Sequence, residues 1–400
     1  MAWKIEKFSN VATLINGRAY LMPELLNGGK YRIVRVGNFT GKDEWFYSNM
    51  ELDEDKYCSS GDLLYKWACT FGPEIWKEEK VIYHYHIWKI INNKSKIDKM
   101  YLYYYLKYYT PMWLGATNGS TMIHITKASM EKKKIFIPAE VEEQKKISNI
   151  LQKYDQLIEN NNKRIRLLED MAESLYKEWF VRFRFPGREN VNFENGIPNG
   201  WEYKKFSEIF KYTRGISYSS EEIECDEGQN LVNLKNIDSY GGFRRDGIKK
   251  YNGKYRENQI VKFKDLIMGV TDMTQDRRTV GSVALVPNIS GVISSDLIKI
   301  ESKINNVFSY CLFRFGFYSK LISQFGNGAN VIHLRPDSIK NQKILIPDYA
   351  LIEKFVSHVE PMLDEIEKLN EQNELLAKQR DALLPRLMSG KLSVEGKEVI

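Results

Sequence analysis

Two long stretches of the chain space their apolar residues in steps of three and four. After Pro138 the apolar positions are Ile147, Ile150, Tyr154, Leu157, Leu168, Met171 and Leu175. In the second stretch they are Val356, Val359, Leu363, Ile366, Ala377, Leu384 and Leu387. Such steps keep apolar side chains on one face of a helix, as in a coiled-coil seam. The spacing predicts helices over about 139–181 and 348–390. Pro138 and Pro347 stand where a strand-like run ends and a helix can begin, since proline is tolerated in a first turn. Pro361 is expected to kink the second helix or mark a late start, and Pro385 to mark fraying near its end. Asn161 and Asn370 occupy the same register near the two helix midpoints. A buried seam asparagine fixes register at some cost in stability, and antiparallel pairing would bring these two together. Parallel pairing would align them as well, with both globular modules at one end; exposure on a polar face is the plain alternative.

The segments ahead of the helices have a shorter period. Runs at Tyr31–Val36, Val81–Ile90, Ile260–Met268, Val283–Val286 and Val292–Ile300 read as short strands. One helix closes each module, roughly Lys99–Tyr109 and Val307–Phe325. The two halves are copies. Asn118-Gly119-Ser120-Thr121-Met122-Ile123-His124-Ile125 returns 209 positions later as Asn327-Gly328-Ala329-Asn330-Val331-Ile332-His333-Leu334. Ile135-Phe136-Ile137-Pro138 returns at the same offset as Ile344-Leu345-Ile346-Pro347. Nearer each start the offset is 198, with Trp3-Lys4-Ile5-Glu6-Lys7-Phe8-Ser9 against Trp201-Glu202-Tyr203-Lys204-Lys205-Phe206-Ser207, and Gly17 against Gly215. A repeat of this size is a duplicated structural unit. The class is α+β: two similar α/β domains separated by two long helices that form an antiparallel coiled coil with pseudo-twofold symmetry. The expected boundaries are 1–137 for the first domain, 138–182 for a central spacer helix and 183–200 for a linker, then 201–346 for the second domain, 347–390 for a C-terminal spacer helix and 391–400 for a tail.

Composition adds exclusions. The net charge of +7 tilts the chain toward a polyanionic partner, though weakly on its own. Four scattered cysteines fit a reducing compartment. No apolar run approaches the roughly 18 residues of a membrane span, so a soluble cytoplasmic protein is expected. There is no nucleotide-binding Gly-x-x-x-x-Gly-Lys-Ser/Thr loop and no adjacent proline pair of the amino-methyltransferase kind. Five histidines with no helix-spaced pair disfavour zinc. Asp296 with Glu301-Ser302-Lys303 loosely imitates a nuclease metal site, a pattern common by chance. The tyrosines Tyr101, Tyr103, Tyr104, Tyr105, Tyr108 and Tyr109 fit a core stripe better than a base-stacking surface. No catalytic, cofactor or metal site is expected.

In this arrangement the chain resembles the specificity subunits of type I restriction-modification enzymes over essentially its whole length. The resemblance rests on two Trp-led domains, each closing in an isoleucine-proline step and a long helix. It also rests on strand segments such as Gly61-Asp62-Leu63-Leu64-Tyr65 and Asp265-Leu266-Ile267-Met268. The spacer Ile137-Pro138 with Glu143-Gln144-Lys145-Lys146-Ile147 is its most specific piece; the second half departs from it with Ile352-Glu353. The resemblance implies a non-catalytic subunit whose two target-recognition domains each read one half of a split, asymmetric double-stranded DNA site. The helices would act as a ruler between them. It further implies two modification subunits that bind S-adenosylmethionine and methylate adenine, and restriction subunits that use ATP and magnesium to cleave DNA. A coiled-coil adaptor without DNA readout and a nuclease are the competing readings.

Basic and amide side chains reach phosphates and base edges. In the second domain the candidates are Arg244, Arg245, Lys249 and Lys250 after a glycine turn, and Gln275, Arg277 and Arg278 in a loop between strands. In the first they are the more dispersed Arg18, Lys30, Arg32 and Asn38. The duplicated loops add Asn118, Ser120 and His124, and Asn327, Asn330, His333 and Arg335, with a structural turn as an equal alternative.

Overall fold

The computed structural model describes residues 2–41, 44–115, 125–223, 226–274 and 276–394. Its contacts divide into two compact units: residues 1–160 with 373–400, and residues 161–372. The boundary cuts both long helices, so each unit holds one globular module and a segment of each helix.

In the first unit, one four-stranded sheet has the order Ala12–Asn16, Ile87–Asn92, Leu63–Lys66, Gly72–Ile75. A second has the order Phe46–Ser48, Tyr31–Val34, Val81–Tyr83, Tyr57–Cys58, with its two middle strands parallel. The second unit repeats both sheets strand for strand. Phe210–Arg214, Leu297–Ser302, Leu266–Gly269 and Val283–Leu285 form one; Lys249–Tyr251, Gln229–Val232, Gly291–Ile293 and Ile260–Val261 form the other, again with a parallel middle pair. In both units a further antiparallel pair joins the Trp-led strand to the strand before the long helix: Trp3–Lys7 with Lys134–Pro138, and Glu202–Lys205 with Lys343–Ile346.

The duplicated glycines have a steric reason. A Cβ on Gly17 would lie 2.3 Å from the Tyr83 carbonyl oxygen, and one on Gly215 would lie 2.0 Å from that of Ser294. Main chains approach so closely there that no side chain fits. The halves differ in length partly because residues 67–71 link two sheet strands in the first module, whereas 270–282 link their counterparts in the second.

The long helices are Val141–Tyr176, continued by a π turn over Lys177–Val181, and Tyr349–Met388. Pro361 is therefore not a late start. It falls within a helix already pinned by the fully buried Phe355 and Val359, and that packing outweighs the missing N–H. Within the first unit, Ile147 and Leu151 pack in one core with Leu384, Leu387 and Met388, and Arg380 pairs with Asp155 at 2.5 Å. Within the second, Asn161 donates to Gln372 at 2.9 Å and Arg164 pairs with Glu365 at 2.7 Å. Numbers rise along one helix as they fall along the other, so the helices run antiparallel in both units.

The closing helix of the first module extends to Gly115, past an internal Pro111. In the second it is broken into Asn306–Arg314 and Tyr318–Ser323. The break falls at Gly316, where a Cβ would lie 2.3 Å from the Leu312 carbonyl oxygen and 3.0 Å from the Tyr176 hydroxyl. Tyr101, Tyr104 and Tyr105 are buried in the first core with Tyr103, Tyr108 and Tyr109 packed beside them, a core stripe. Among the described residues no helix is long and apolar enough to cross a membrane.

Candidate nucleic-acid interface

Each module holds its sheets in place with the same half-buried ion pair. Lys89 meets Asp62 at 2.8 Å and the Tyr57 carbonyl at 3.1 Å; Lys299 meets Asp265 at 2.7 Å and the Ile260 carbonyl at 3.1 Å. Each carboxylate also accepts a backbone N–H, from Ser59 or Lys262, at 2.8 Å. Sequence reading missed these four residues as a set. The signal was present, because both aspartates precede matching apolar strands and both lysines sit inside matching strands.

A second shared brace accounts for Asn38. Its side-chain oxygen accepts the Arg35 N–H at 2.8 Å and its amide donates to the Glu44 carbonyl at 2.9 Å. Asn236 repeats this, accepting from Asn233 N–H at 2.9 Å and donating to the Arg244 and Asp246 carbonyls. Asn38 is thus a backbone brace, and its amide is engaged within the module.

In the second module several candidates come together. Thr271–Asp272, Ile332–Leu334 and Gly326–Asn327 form a three-stranded sheet that sets Thr271 opposite His333 and His333 opposite Asn327. Asn330 lies exposed between the last two strands, and Arg335 is exposed just beyond them. Asp272, 3% exposed, organises the loop that leaves this sheet. Its carboxylate accepts the N–H and hydroxyl of Thr274 at 2.7 and 2.8 Å, and those of Thr279 at 2.7 and 2.9 Å. Burial pushes its pKa up, but these bonds outweigh burial and hold it below the ordinary value. On that loop Arg278 is exposed and pairs with Asp276, while Arg277 stands at φ 54° with Nη1 3.4 Å from the Ser323 carbonyl. Tyr240, also left-handed at φ 68° and 72% exposed, donates its N–H to the Arg278 carbonyl. Non-glycine residues held in this region cluster at functional sites.

Other candidates lie elsewhere. Arg245 turns away from the loop patch and pairs with Glu367 of the C-terminal helix. Lys264 joins it there, 2.6 Å from Glu360 and 2.7 Å from Asp364, and Arg314 meets Glu169 of the central helix at 2.9 Å. Arg245, Lys264, Arg314, Glu169, Asp364 and Glu367 line a cavity of about 260 Å³ together with Asn370. Arg244 pairs with Asp246 at 2.8 Å, Lys250 bonds Asn230 at 3.1 Å, and Lys249 is exposed. In the first module Arg18 pairs with Glu24, Lys30 with Glu51, and Arg32 with Glu78 and Glu79 while stacking over Trp45. Each of the three is taken up by carboxylates of its own. Asn118, Ser120, His124 and Gln275 lie outside the described residues. Of the nuclease-like trio, Asp296 sits in the turn between two sheets and Glu301 near the far end of the following strand.

Two α+β modules of one topology, each with its own loops and each anchored on paired helices, define a duplicated recognition scaffold. The family model described as "Type I restriction modification DNA specificity domain" matches residues 2–170 and again 198–377. The chain belongs to this family, whose members supply specificity and are not themselves the catalyst. It is 31% identical over 322 residues to the type I restriction enzyme MjaIX specificity subunit of Methanocaldococcus jannaschii, covering 76% of this chain and 71% of that one. It is 23% identical over 351 residues to the MjaVIII specificity subunit of the same organism, covering 84% and 80%. In fold it is similar to the crystal structure of a type I restriction-modification S subunit from M. genitalium, with TM-score 0.61 and 14% identity over 96% of each chain.

Proposed function

We propose that the chain directs a type I restriction-modification complex to a two-part, asymmetric duplex DNA sequence, each module reading one half. One observation carries this reading: a single framework occurs twice with unlike loops. The modules share sheets, glycines, Asp–Lys pairs and asparagine braces, yet the same two strands are joined by 67–71 in one and 270–282 in the other. A constant frame with unlike loops suits two readers of unlike half-sites, because base readout depends on the side chains a loop presents. The patch of Arg277, Arg278, His333, Asn327 and Asn330 serves the second half-site. In the paired helices Asn161 keeps the register through Gln372 rather than through Asn370, the partner that matched positions suggested. At about 1.5 Å per residue, helices of 36 and 40 residues are long enough to set a half-site spacing of more than one DNA turn. Modification subunits using S-adenosylmethionine, and restriction subunits using ATP, assemble on the scaffold.

The test is to map methylated adenines in the host genome with and without the gene, and again after inserting four residues into one spacer helix. The reading expects a split motif that disappears with the gene and whose gap changes with the insertion. A motif unaffected by loss of the gene would refute it. Filter binding at varied salt separates it from an adaptor role, since DNA recognition loses affinity steeply as salt rises.

A further inference from the structure

In the first module the turn 83–87, which carries the chain from one four-stranded sheet to the other, holds an aromatic cluster outside the candidates above. The Trp67 ring lies 5.1 Å from His86 and 5.9 Å from Tyr85, and Tyr85 lies 3.9 Å from His86 and 4.6 Å from His84. Trp67 Nε1 donates to the Tyr85 carbonyl at 2.8 Å, which fixes the indole against the turn. Tyr85 is 38% exposed. Arg18 and Arg35 follow the strands on either side, and the main chain ties them in. Tyr85 N–H donates to the Arg18 carbonyl at 3.0 Å, and His84 N–H to the Val34 carbonyl at 3.0 Å.

The second module has the same main-chain frame. Ser295 N–H donates to the Ile216 carbonyl at 2.6 Å, Ser294 N–H to Val232 at 2.9 Å, and Val270 N–H to Asp296 at 2.9 Å; the last matches Trp67 N–H to His86 at 3.2 Å. Only the side chains differ. Where the first module places Trp67 and His84-Tyr85-His86, the second places Val270 and Ser294-Ser295-Asp296. The small tip of the second module adjoins the long loop after Val270 that carries Arg277 and Arg278; the aromatic tip of the first stands beside a short link.

We propose that Trp67, Tyr85 and His86 are the base-reading tip of the first module, contacting the apolar edges and steps of its half-site while Arg18 and Arg35 flank the phosphates. This deepens the function proposed above and rests on it. An exposed aromatic body packs on thymine methyls and base steps, a contact that carries sequence information without charge. A rigid ring also loses little conformational freedom on binding. Burial, with His86 and Arg35 nearby, lowers the His84 pKa to about 4, so this imidazole adds no charge near neutrality. The two half-sites would then be read by different chemistry, one through largely apolar side chains and one through polar and arginine side chains.

The experiment uses the full chain in complex with its modification subunits and a duplex pool randomised across both half-sites, sequenced after selection. Tyr85→Ser keeps the main-chain bond that holds Trp67, and Tyr85→Phe keeps the ring. Tyr85→Ser is expected to flatten preference at one half-site by on the order of tenfold per affected base pair. It should leave the other half-site and the salt slope unchanged, and Tyr85→Phe should stay near wild type. Arg278→Ala should affect the opposite half-site and lower the salt slope by about one. Unchanged preference at both half-sites in Tyr85→Ser, or equal loss at both, overturns the tip proposal. A wild-type complex that selects no split sequence overturns the underlying function instead, and the tip with it. If Tyr85→Ser melts early, Trp67→Leu provides the same test in a variant that keeps the Tyr85 ring.

Discussion

Lys299 reaches Asp265 across its sheet at 2.7 Å, in a pocket where both side chains are mostly shielded from water. Removing one partner of a shielded pair leaves the other desolvated without compensation. Lys299→Met is expected to cost about 2–4 kcal/mol in urea unfolding of the full chain. Exchanging both partners for apolar residues should cost clearly less. A loss no greater than that of the exposed Lys249→Met would show that the pair is not structural.

The Asn161–Gln372 bond predicts a different pattern. Asn161 is 4% exposed, so truncating Gln372 takes an acceptor away from a buried amide. Gln372→Ala should destabilise by about 1–2 kcal/mol. Asn161→Leu with Gln372→Leu should be neutral or stabilising, while weakening the choice of register. Thermal midpoints of the single and double variants decide it; additive losses would rule out the coupling.

The lowered Asp272 pKa has a signed consequence. A carboxyl held lower in the folded state than in the unfolded one stabilises fully above its unfolded value of about 3.9. That contribution fades as pH falls through the lower folded value. Amide exchange at Thr274 and Thr279 should therefore stay slow from pH 7 to 5 and quicken only below about 4. Loosening already between pH 7 and 5 would assign the loop to another group. Asp272→Ala should free the loop at every pH and erode selectivity at the second half-site alone.

Arg245 and Lys249 lie four residues apart and should behave oppositely. If Arg245 serves Glu367 on the helix, Arg245→Ala lowers the melting temperature and leaves the salt dependence of DNA binding alone. Lys249→Ala should reduce the salt slope by about one and leave melting unchanged. The reverse result would return Arg245 to the DNA surface.

The parts of the fold legible in the sequence were those governed by local period or by duplication. The long helices show in the spacing from Ile147 to Leu175, and the doubled module shows in pairs such as Gly17 and Gly215. Contacts that depend on distant partners were not legible. Arg244 and Arg245 look alike in the chain, yet one pairs locally with Asp246 and the other with a helix more than a hundred residues on. Asn38 looks like an adenine reader because its donor and acceptor are visible in the sequence, whereas the backbone groups that take them up are not. Pro361 suggested a break because helix propensity is local, while the packing of Phe355 and Val359 is not. The aromatic residues of the tip are separated in sequence, and only the fold brings Trp67 beside Tyr85.

The first core includes Leu384, Leu387, Met388 and Val394, and a Cβ on Gly390 would meet the Trp3 ring at 2.9 Å. On the ribosome, the module made first must therefore wait for residues 384–394 to emerge before its apolar floor is covered, while residues 161–372 can settle earlier. Nascent chains halted before residue 373 should hold the amino-terminal module loose and open to protease, and release of residues 373–394 should lock it.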